Sequence, residues 1–307
     1  MRCRIQIIIT PGSGEGRALA TARRLNDLLE QRGHATAIRT YRSLSALLRW
    51  ARTCEANFTH LVCVGGDATQ SAAAAAAVRL DVPFVPVPNG FGNMFARAFG
   101  HPRDAEDVAK LLEEGELQRV DVGKVDGGDL FLSHHSYGML QQIQETVEKG
   151  REQPRSRAAR YLAYWAMARR FVAEPPPPLL RVEIDGTLVA DGAGIVTVAN
   201  VETYRGFLSL TPLAVPLDGL LDVFVAPRAS NVHLMARLLP MMFRLPGRWN
   251  GVLLRQGRHV VVTVDGRRRE GLRTLPRALP LLVPPGSIER LVRRARARTA
   301  PMERVAA

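Results

Sequence analysis

The 307-residue sequence has few of the features that mark secreted, disulfide-stabilised or membrane-spanning proteins. It contains only three cysteines, Cys3, Cys54 and Cys63, an odd number without CxxC spacing. This excludes a disulfide framework and predicts buried thiols in a reducing cytoplasm. No run of about 18 apolar residues occurs, and the apolar start breaks at Pro11, so neither a membrane helix nor a signal peptide is expected. We expect a cytoplasmic protein; if it meets a membrane, it does so peripherally, from outside the bilayer at the inner face.

Acidic residues are also scarce relative to basic ones. The chain has 42 Lys and Arg against 29 Asp and Glu, a formal net charge of +13. Such an excess attracts anions, whether nucleotides, anionic lipid headgroups or nucleic acid, although an arginine-rich bias spread over solvated faces gives the same number. No nucleic-acid-binding module is recognisable, so nucleic acid is not an expected partner.

The first part of the chain alternates strand and helix patterns. The continuous apolar run IQIIIT is typical of a strand buried on both faces, and helical patterns follow it and each later strand. Strands separated by helices in this way predict a three-layer α/β domain with a mainly parallel sheet. The predicted strands are 5–10, 35–41, 60–64 and 83–88. The predicted helices are 17–32, 45–56, an alanine-rich helix that can start at Thr69, 93–99 and 104–114.

Hairpin signals replace this alternation after about residue 117. Two predicted strand pairs turn at Asp126-Gly127-Gly128 and at Asp185-Gly186, sequences that favour tight turns between antiparallel strands. The length of the chain also favours two domains. We expect an α/β nucleotide-binding domain over 1–120 and a β-rich, antiparallel, sandwich-like domain over 121–285. The C-terminal segment 286–307 could pack back on the first domain.

Three glycine loops follow three strands of the predicted parallel sheet. Gly12 and Gly14 follow the first strand, Gly65 and Gly66 follow the third, and Gly90 follows the fourth. Glycines let a phosphate approach the main chain, and the N terminus of the next helix supplies N–H donors. A single Gly-Gly-Asp turn is a weak signal, but several such loops at one sheet edge are typical of a nucleotide crevice.

Polar residues in these loops are further candidates for the nucleotide site. Asp67 and Thr69 follow the glycine pair, and Asn93 stands where the next helix begins. Asp67 has a structural alternative as a local cap for Thr69.

Six motifs, taken in order, resemble the lipid kinases of the diacylglycerol kinase and sphingosine kinase group, including their small bacterial members. The resemblance extends over nearly the whole chain, and the order and spacing of the motifs make it specific. The motifs are TPGSG at 10–14, GGDAT at 65–69, PNGFGNMFAR at 88–97, RVDVGKVDGGDLFLSHHSYG at 119–138, VTVANVETYRGFLSLTPLAVPLDGLLDVFVA at 196–226 and VTVDGRRREG at 262–271.

The resemblance implies that ATP and Mg²⁺ bind between the two domains and that the γ-phosphate passes to a lipid hydroxyl. It implies that Asp265 is the general base and that Asp218 and Leu220 hold the metal. Loop amides and Mg²⁺ would stabilise the transferring phosphoryl group while a carboxylate accepts the hydroxyl proton. For Asp265 a simple hairpin turn is the alternative. The nucleotide-site residues implied are Gly12, Gly14, Gly65, Gly66, Asp67, Thr69, Gly90 and Asn93.

The chain departs from the family pattern at four positions near this chemistry. Ala68 replaces a glycine, where its methyl group either meets the nucleotide or forbids a positive φ. Ala72 stands where a glutamate is common, Met94 replaces an aspartate, and Arg267 places a cation beside Asp265. Three hypotheses follow: an active lipid kinase, a catalytically impaired lipid- or nucleotide-binding relative, and a soluble-substrate kinase such as an NAD kinase.

A basic, aromatic segment, RSRAARYLAYWAMARRFV at 155–172, predicts a helix that either packs on the β domain or meets acyl chains at an anionic membrane. MMFRLPGRW at 241–249 and four arginines of the C-terminal tail fit the same membrane hypothesis. The adjacent His134 and His135 lie on a strand pattern without metal-ligand spacing and are expected to be structural or surface residues. The lipid, the pathway and the oligomeric state, including a homodimer, stay open.

Overall fold

The computed structural model describes residues 2–10, 17–90, 92–142, 177–202, 210–230, 233–234 and 251–306, with side chains described to residue 297. Several predicted features lie outside these residues: the helix over 155–172, the segment 241–249, and Gly12 and Gly14.

The first half forms a parallel sheet in which β1 lies between β2 and β3, and β3 pairs with β4. All five residues of β4 and five of the six in β1 and β3 are buried, because helices cover both faces of these strands. The strands are β1 (Arg4–Ile9), β2 (Ala35–Thr40), β3 (His60–Gly65) and β4 (Phe84–Pro88), and the helices are α1 (Arg17–Gln31), α2 (Leu44–Thr53), α3 (Asp67–Leu80), α4 (Met94–Ala98) and α5 (Ala105–Glu114).

Two apolar layers hold this sheet. One contains α2, α3 and the aromatic rings of Phe84, Phe95 and Phe99, and the other packs α1 and α5 against the opposite face. The alanine run of α3 supplies five of the buried residues in the first layer. Because these side chains are small, the helix can lie close against the strands.

The second half is antiparallel, as its hairpin signals predict. Its strands enclose a third apolar cluster that includes Leu180, Val196, Val223 and Val260. The strands are β5 (Glu116–Val125), β6 (Leu130–Phe131), β7 (His134–Gly138), β8 (Leu180–Ile184), β9 (Thr187–Ala199), β10 (Leu221–Pro227), β11 (Leu253–Gly257), β12 (His259–Val264) and β13 (Arg268–Val283).

One long strand, β13, links the two halves. Its first part pairs with β12 and its last part borders β4 at Leu281, while β5 pairs with it from Leu272 to Val283. The final helix α6 (Ser287–Ala306) follows, and its Leu291 lies in the α2–α3 core. Because one sheet continues through both halves, the division at residues 120 and 285 stays a prediction.

For the described residues, the predicted element types are confirmed, and the differences lie at their ends. The helix expected to start at Thr69 begins at Asp67, because Gly66 takes the N-cap position. The thiol of Cys63 is buried as predicted, whereas Cys3 and Cys54 are only partly buried. Within the described residues, no helix is both long and apolar enough to cross a membrane.

Candidate functional site

The two described glycine loops touch each other through their backbones. A Cβ on Gly90 would lie 2.5 Å from the Cα of Gly66, a distance that side chains do not tolerate. Glycine at position 90 is therefore required by the close approach of the loops. The contact lies at the carboxyl ends of β3 and β4, where α3 begins and directs its N terminus toward the same edge.

Asp67 fastens the two loops together. Its Oδ2 accepts a hydrogen bond from the N–H of Asn93, and its Oδ1 accepts one from the N–H of Met94, each at 2.7 Å. Burial raises the pKa of this carboxyl group, and the backbone N–H donors oppose the rise. The carboxylate thus caps the short helix α4 across a gap of 26 residues, which neither sequence interpretation of Asp67 anticipated.

Asn93 closes its own loop. Its side-chain Oδ1 accepts from the N–H of Gly90 at 2.7 Å, and its Nδ2 donates to the carbonyl of the same residue at 2.6 Å. It has a φ of 51°, a left-handed conformation that asparagine tolerates better than most residues. Asn93 is 3% exposed, so it holds the shape of the loop from within.

Thr69 joins this edge to the first strand. Its hydroxyl group lies 2.9 Å from the hydroxyl group of Thr10, the residue that follows β1. The structure therefore brings together Gly65, Gly66, Asp67, Thr69, Gly90 and Asn93.

The substitution at Ala68 leaves the loop unstrained. Ala68 lies in the first turn of α3, where its φ is negative, so the expectation that the backbone here needs a positive φ is wrong. Its methyl group is exposed at the surface of the loop. Ala72 and Met94 are instead buried in the α2–α3 core, which makes both of them packing residues in this chain.

The Asp218 loop lies against β5. The fully buried Asp121 accepts from the N–H of Gly219 at 2.7 Å and from the N–H of Arg277 at 2.7 Å, while Asp218 accepts from Leu220 within its own turn. Burial raises the pKa of Asp218, and the negative charge of Asp121 raises it further. The charge of Asp121 therefore disfavours the ionised form of Asp218.

The carboxylate oxygens of Asp218 and Asp121 are of the chemical type that binds Mg²⁺. Mg²⁺ prefers carboxylate, carbonyl and water oxygens, and a cation would relieve the repulsion between Asp218 and Asp121. The described residues contain no group of three or more His, Cys, Asp or Glu side chains that could hold a metal alone. A metal at this loop would therefore depend on backbone carbonyls such as that of Leu220, on water and on a phosphate ligand.

Asp265 occupies the turn between β12 and β13. It is exposed, has a φ of 47°, and its Oδ1 accepts from the N–H of Leu179 at 2.8 Å. Arg268, the first residue after the turn, is seven residues before Leu275, which pairs with Val122 beside Asp121. The turn is therefore separated from Asp121 by more than about 23 Å of extended strand. The described contacts of Asp265 lie in this hairpin and in the chain leading into β8.

A polar cluster in the second half was not predicted as a site. His135 and Tyr137 of β7 meet Glu270 of β13, two strands far apart in the sequence. Asp222 of β10 is also notable, because burial raises the pKa of its carboxyl group to about 7, partly opposed by the Gln256 amide. The only signal in the sequence was the two adjacent histidines, and their spacing pointed to no partner.

Comparison with protein families matches two family models in series. Residues 4–125 match the diacylglycerol kinase catalytic domain, and residues 136–270 match the YegS C-terminal NAD kinase beta sandwich-like domain. The first match contains both described glycine loops, and the second contains Asp218, Asp265, Tyr137 and Glu270, while His135 lies just before it.

Curated relatives of this chain are named diacylglycerol kinase. A diacylglycerol kinase of Mycobacterium tuberculosis is 31% identical over 187 residues, which are 59% of this chain and 58% of that protein. A diacylglycerol kinase of Staphylococcus saprophyticus is 27% identical over 238 residues, 76% of each chain. Among solved structures, a diacylglycerol kinase from Bacillus anthracis superposes with a TM-score of 0.66 at 17% identity, covering 94% of this chain and 99% of the other, which confirms the fold.

Proposed function

Because the chain belongs to the diacylglycerol kinase family, we propose that it transfers the γ-phosphate of ATP to a hydroxyl group of a diacylglycerol-like or other long-chain lipid. The observation that carries the proposal is the junction of two glycine loops, fastened by Asp67 at the N terminus of α3. Glycines packed this closely let a phosphate chain approach the N–H groups at the start of α3.

In this proposal, residues of the first half bind the nucleotide, and residues of the second half hold the metal and supply the base. Gly65, Gly66 and Gly90 would let the nucleotide phosphates approach the main chain, and Thr69 would add a hydroxyl group. When bound at Asp218 and the Leu220 carbonyl, Mg²⁺ would neutralise charge that develops on the phosphates. Asp265 is the base indicated by its motif position.

The setting we propose is the inner face of the cytoplasmic membrane. A net charge of +13 favours contact with anionic lipid headgroups, and each basic residue near such a surface contributes about 1 kcal/mol. A catalytically impaired relative that binds lipid or nucleotide is the second candidate, because Ala68 exposes a methyl group where the phosphates would approach and Arg267 stands beside Asp265.

The test is a transfer assay with the full chain. Purified protein is incubated with Mg²⁺, γ-labelled ATP and vesicles that contain diacylglycerol, then with vesicles made from a total lipid extract. Labelled lipid is the expected result. Nucleotide-dependent thermal stabilisation without any labelled lipid would support the binding relative, and labelled NADP from NAD would support an NAD kinase instead.

The base is tested in the same assay. Asp265→Asn keeps the size of the side chain and its ability to accept from the Leu179 N–H, but removes the carboxylate. Loss of all transfer is expected if Asp265 is the base. Transfer within a few-fold of the unmodified protein would place the base elsewhere.

A further inference from the structure

Four polar side chains meet at the edge of the apolar interior of the second half. The hydroxyl group of Tyr137 donates to Glu270 Oε2 at 2.5 Å, and Nε2 of His135 lies 3.6 Å from the same oxygen. Arg268 donates to the other carboxylate oxygen, Oε1, at 3.0 Å. The four groups belong to only two strands, β7 and β13, so tertiary packing alone brings them together.

The side chains of this cluster differ in their exposure to solvent. The Glu270 side chain is 17% exposed, whereas the His135 side chain is 38% exposed. The His135 ring also packs against the rings of Phe131 and Tyr137, with centroids 6.2 and 5.0 Å away. The imidazole therefore stands at an opening, with a carboxylate behind it and aromatic rings beside it.

The need of the buried Glu270 carboxylate for hydrogen-bond donors does not by itself explain the position of His135. A carboxylate needs hydrogen-bond donors when it is removed from water, and Tyr137 and Arg268 already supply one to each oxygen. His135 adds a longer contact and stays partly open to solvent. An imidazole oriented by a carboxylate, with its other ring nitrogen available to a ligand, is the arrangement that activates hydroxyl nucleophiles in unrelated enzymes.

The cluster is connected to α3, the helix that begins at the glycine loops. Leu132 donates its N–H to the hydroxyl group of Ser71 in α3, and His135 follows three residues later. Three residues of extended chain span at most about 10 Å. Ser71 is four residues into α3 from Asp67, or about 6 Å along the helix axis. His135 is thus linked to the first turns of α3 by one hydrogen bond and three residues of chain.

We propose that His135 accepts the proton of the substrate hydroxyl group, with Glu270 and Tyr137 as positioning residues. The inference rests on the proposed kinase function and deepens it by giving His135, in place of Asp265, the role of the base. The lipid oxygen forms a bond to the γ-phosphorus of ATP as the bond from that phosphorus to the β,γ-bridging oxygen breaks, and ADP leaves. The hydroxyl proton passes to Nδ1 of His135, while Nε2–H faces Glu270, and the imidazolium formed is stabilised by that carboxylate.

The charges around His135 determine its pH dependence. Burial lowers the pKa of its imidazole, Glu270 opposes that change, and Arg268 adds to it. Tyr137, whose pKa is raised by burial and by Glu270, remains a neutral phenol. The ring is therefore neutral and able to accept a proton near pH 7, and transfer falls as pH drops through the pKa of His135.

The first test compares adjacent histidines. Successive residues of a strand face opposite sides, so His134→Gln is a matched control for His135→Gln on the same strand. With γ-labelled ATP and diacylglycerol vesicles, we expect His135→Gln to lower kcat by about 100-fold or more, with the KM for ATP within a few-fold of the unmodified protein. His134→Gln should stay within a few-fold in both parameters.

The second test uses the pH profile of transfer. Glu270→Gln removes the charge that raises the pKa of His135, so the acidic limb should move to lower pH while kcat falls. Tyr137→Phe should lower kcat less and leave Glu270 charged. A purely structural role for Glu270 would lower the amount of folded protein without moving the limb.

The outcomes separate the two proposals. If the unmodified protein labels lipid and His135→Gln does so at a similar kcat, this inference is overturned while the kinase proposal stands. Loss of transfer in Asp265→Asn alone would assign the base to Asp265. If the unmodified protein labels no lipid, both proposals are overturned together.

Discussion

The two halves of this molecule build their candidate sites from different material. In the α/β half, the site is mostly backbone: glycines in contact, N–H groups, and side chains such as Asp67 and Asn93 that bond the main chain. In the β half, it consists of titratable side chains, such as His135, Glu270 and Asp222, in an apolar setting. The first half is suited to hold a charged ligand in place, and the second is suited to respond to protons.

The largest effect is expected from separating the glycine loops. Asp67→Ala removes two charge-assisted hydrogen bonds and leaves the N–H groups of Asn93 and Met94 without their acceptor, at a cost of about 3 kcal/mol in unfolding free energy. Urea denaturation measures this loss, and ATP should no longer raise the melting temperature. Because the loops would lose their joint shape, transfer should also fall below detection.

The matched control for Asp67→Ala lies at the other end of α3. Asp81 pairs with Arg119 at the surface, with 62% of its side chain exposed, so Asp81→Asn should cost less than about 1 kcal/mol. Equal losses of unfolding free energy in Asp67→Ala and Asp81→Asn would show that the bonds of Asp67 to the second loop add no particular stability.

Gly90→Ala tests the backbone contact itself. The new methyl group would lie 2.5 Å from the Cα of Gly66, so the loops must separate, at a cost of about 1–3 kcal/mol. Gly66→Ala is the control, because its Cβ would meet Gly90 at an ordinary 3.4 Å. Thermal denaturation without nucleotide should rank Gly90→Ala below Gly66→Ala, and the reverse order would contradict the packing described here.

The proton response of the β half is tested at Asp222. The pKa of this buried carboxyl group, about 7, lies above its value in the unfolded chain, so the protonated form favours the folded state. Its contribution is complete below about pH 4 and is lost as pH rises through 7, by an amount on the order of a few kcal/mol. Urea denaturation at pH 5 and pH 8 should show a smaller decline for Asp222→Asn than for the unmodified protein. Parallel declines would mean that Asp222 titrates normally.

The smallest effect is expected at Ala68. Glycine in the first turn of α3 should lower the unfolding free energy by less than about 1 kcal/mol. If the exposed methyl group limits the approach of the phosphates, Ala68→Gly should nevertheless tighten ATP binding by a few-fold. Isothermal titration of ATP into both proteins measures this, and an unchanged affinity would show that the loop accommodates the alanine.

The sequence by itself determined the elements and their class. The period of apolar residues and the positions of Gly33, Gly127 and Gly186 set where helices and strands end, because these are local properties of the chain. Motif order also predicted which loops meet at the sheet edge, since the carboxyl ends of parallel strands share one edge.

Only the tertiary structure decided what the polar residues do at that edge and beyond it. Asp67 bonds a helix 26 residues away, and His135 meets a carboxylate 135 residues away. Neither pairing leaves a trace in local spacing, because burial and strand packing create it. Conversely, Asp265 has a family motif position but lies in an exposed turn, since its local sequence is also that of a tight hairpin.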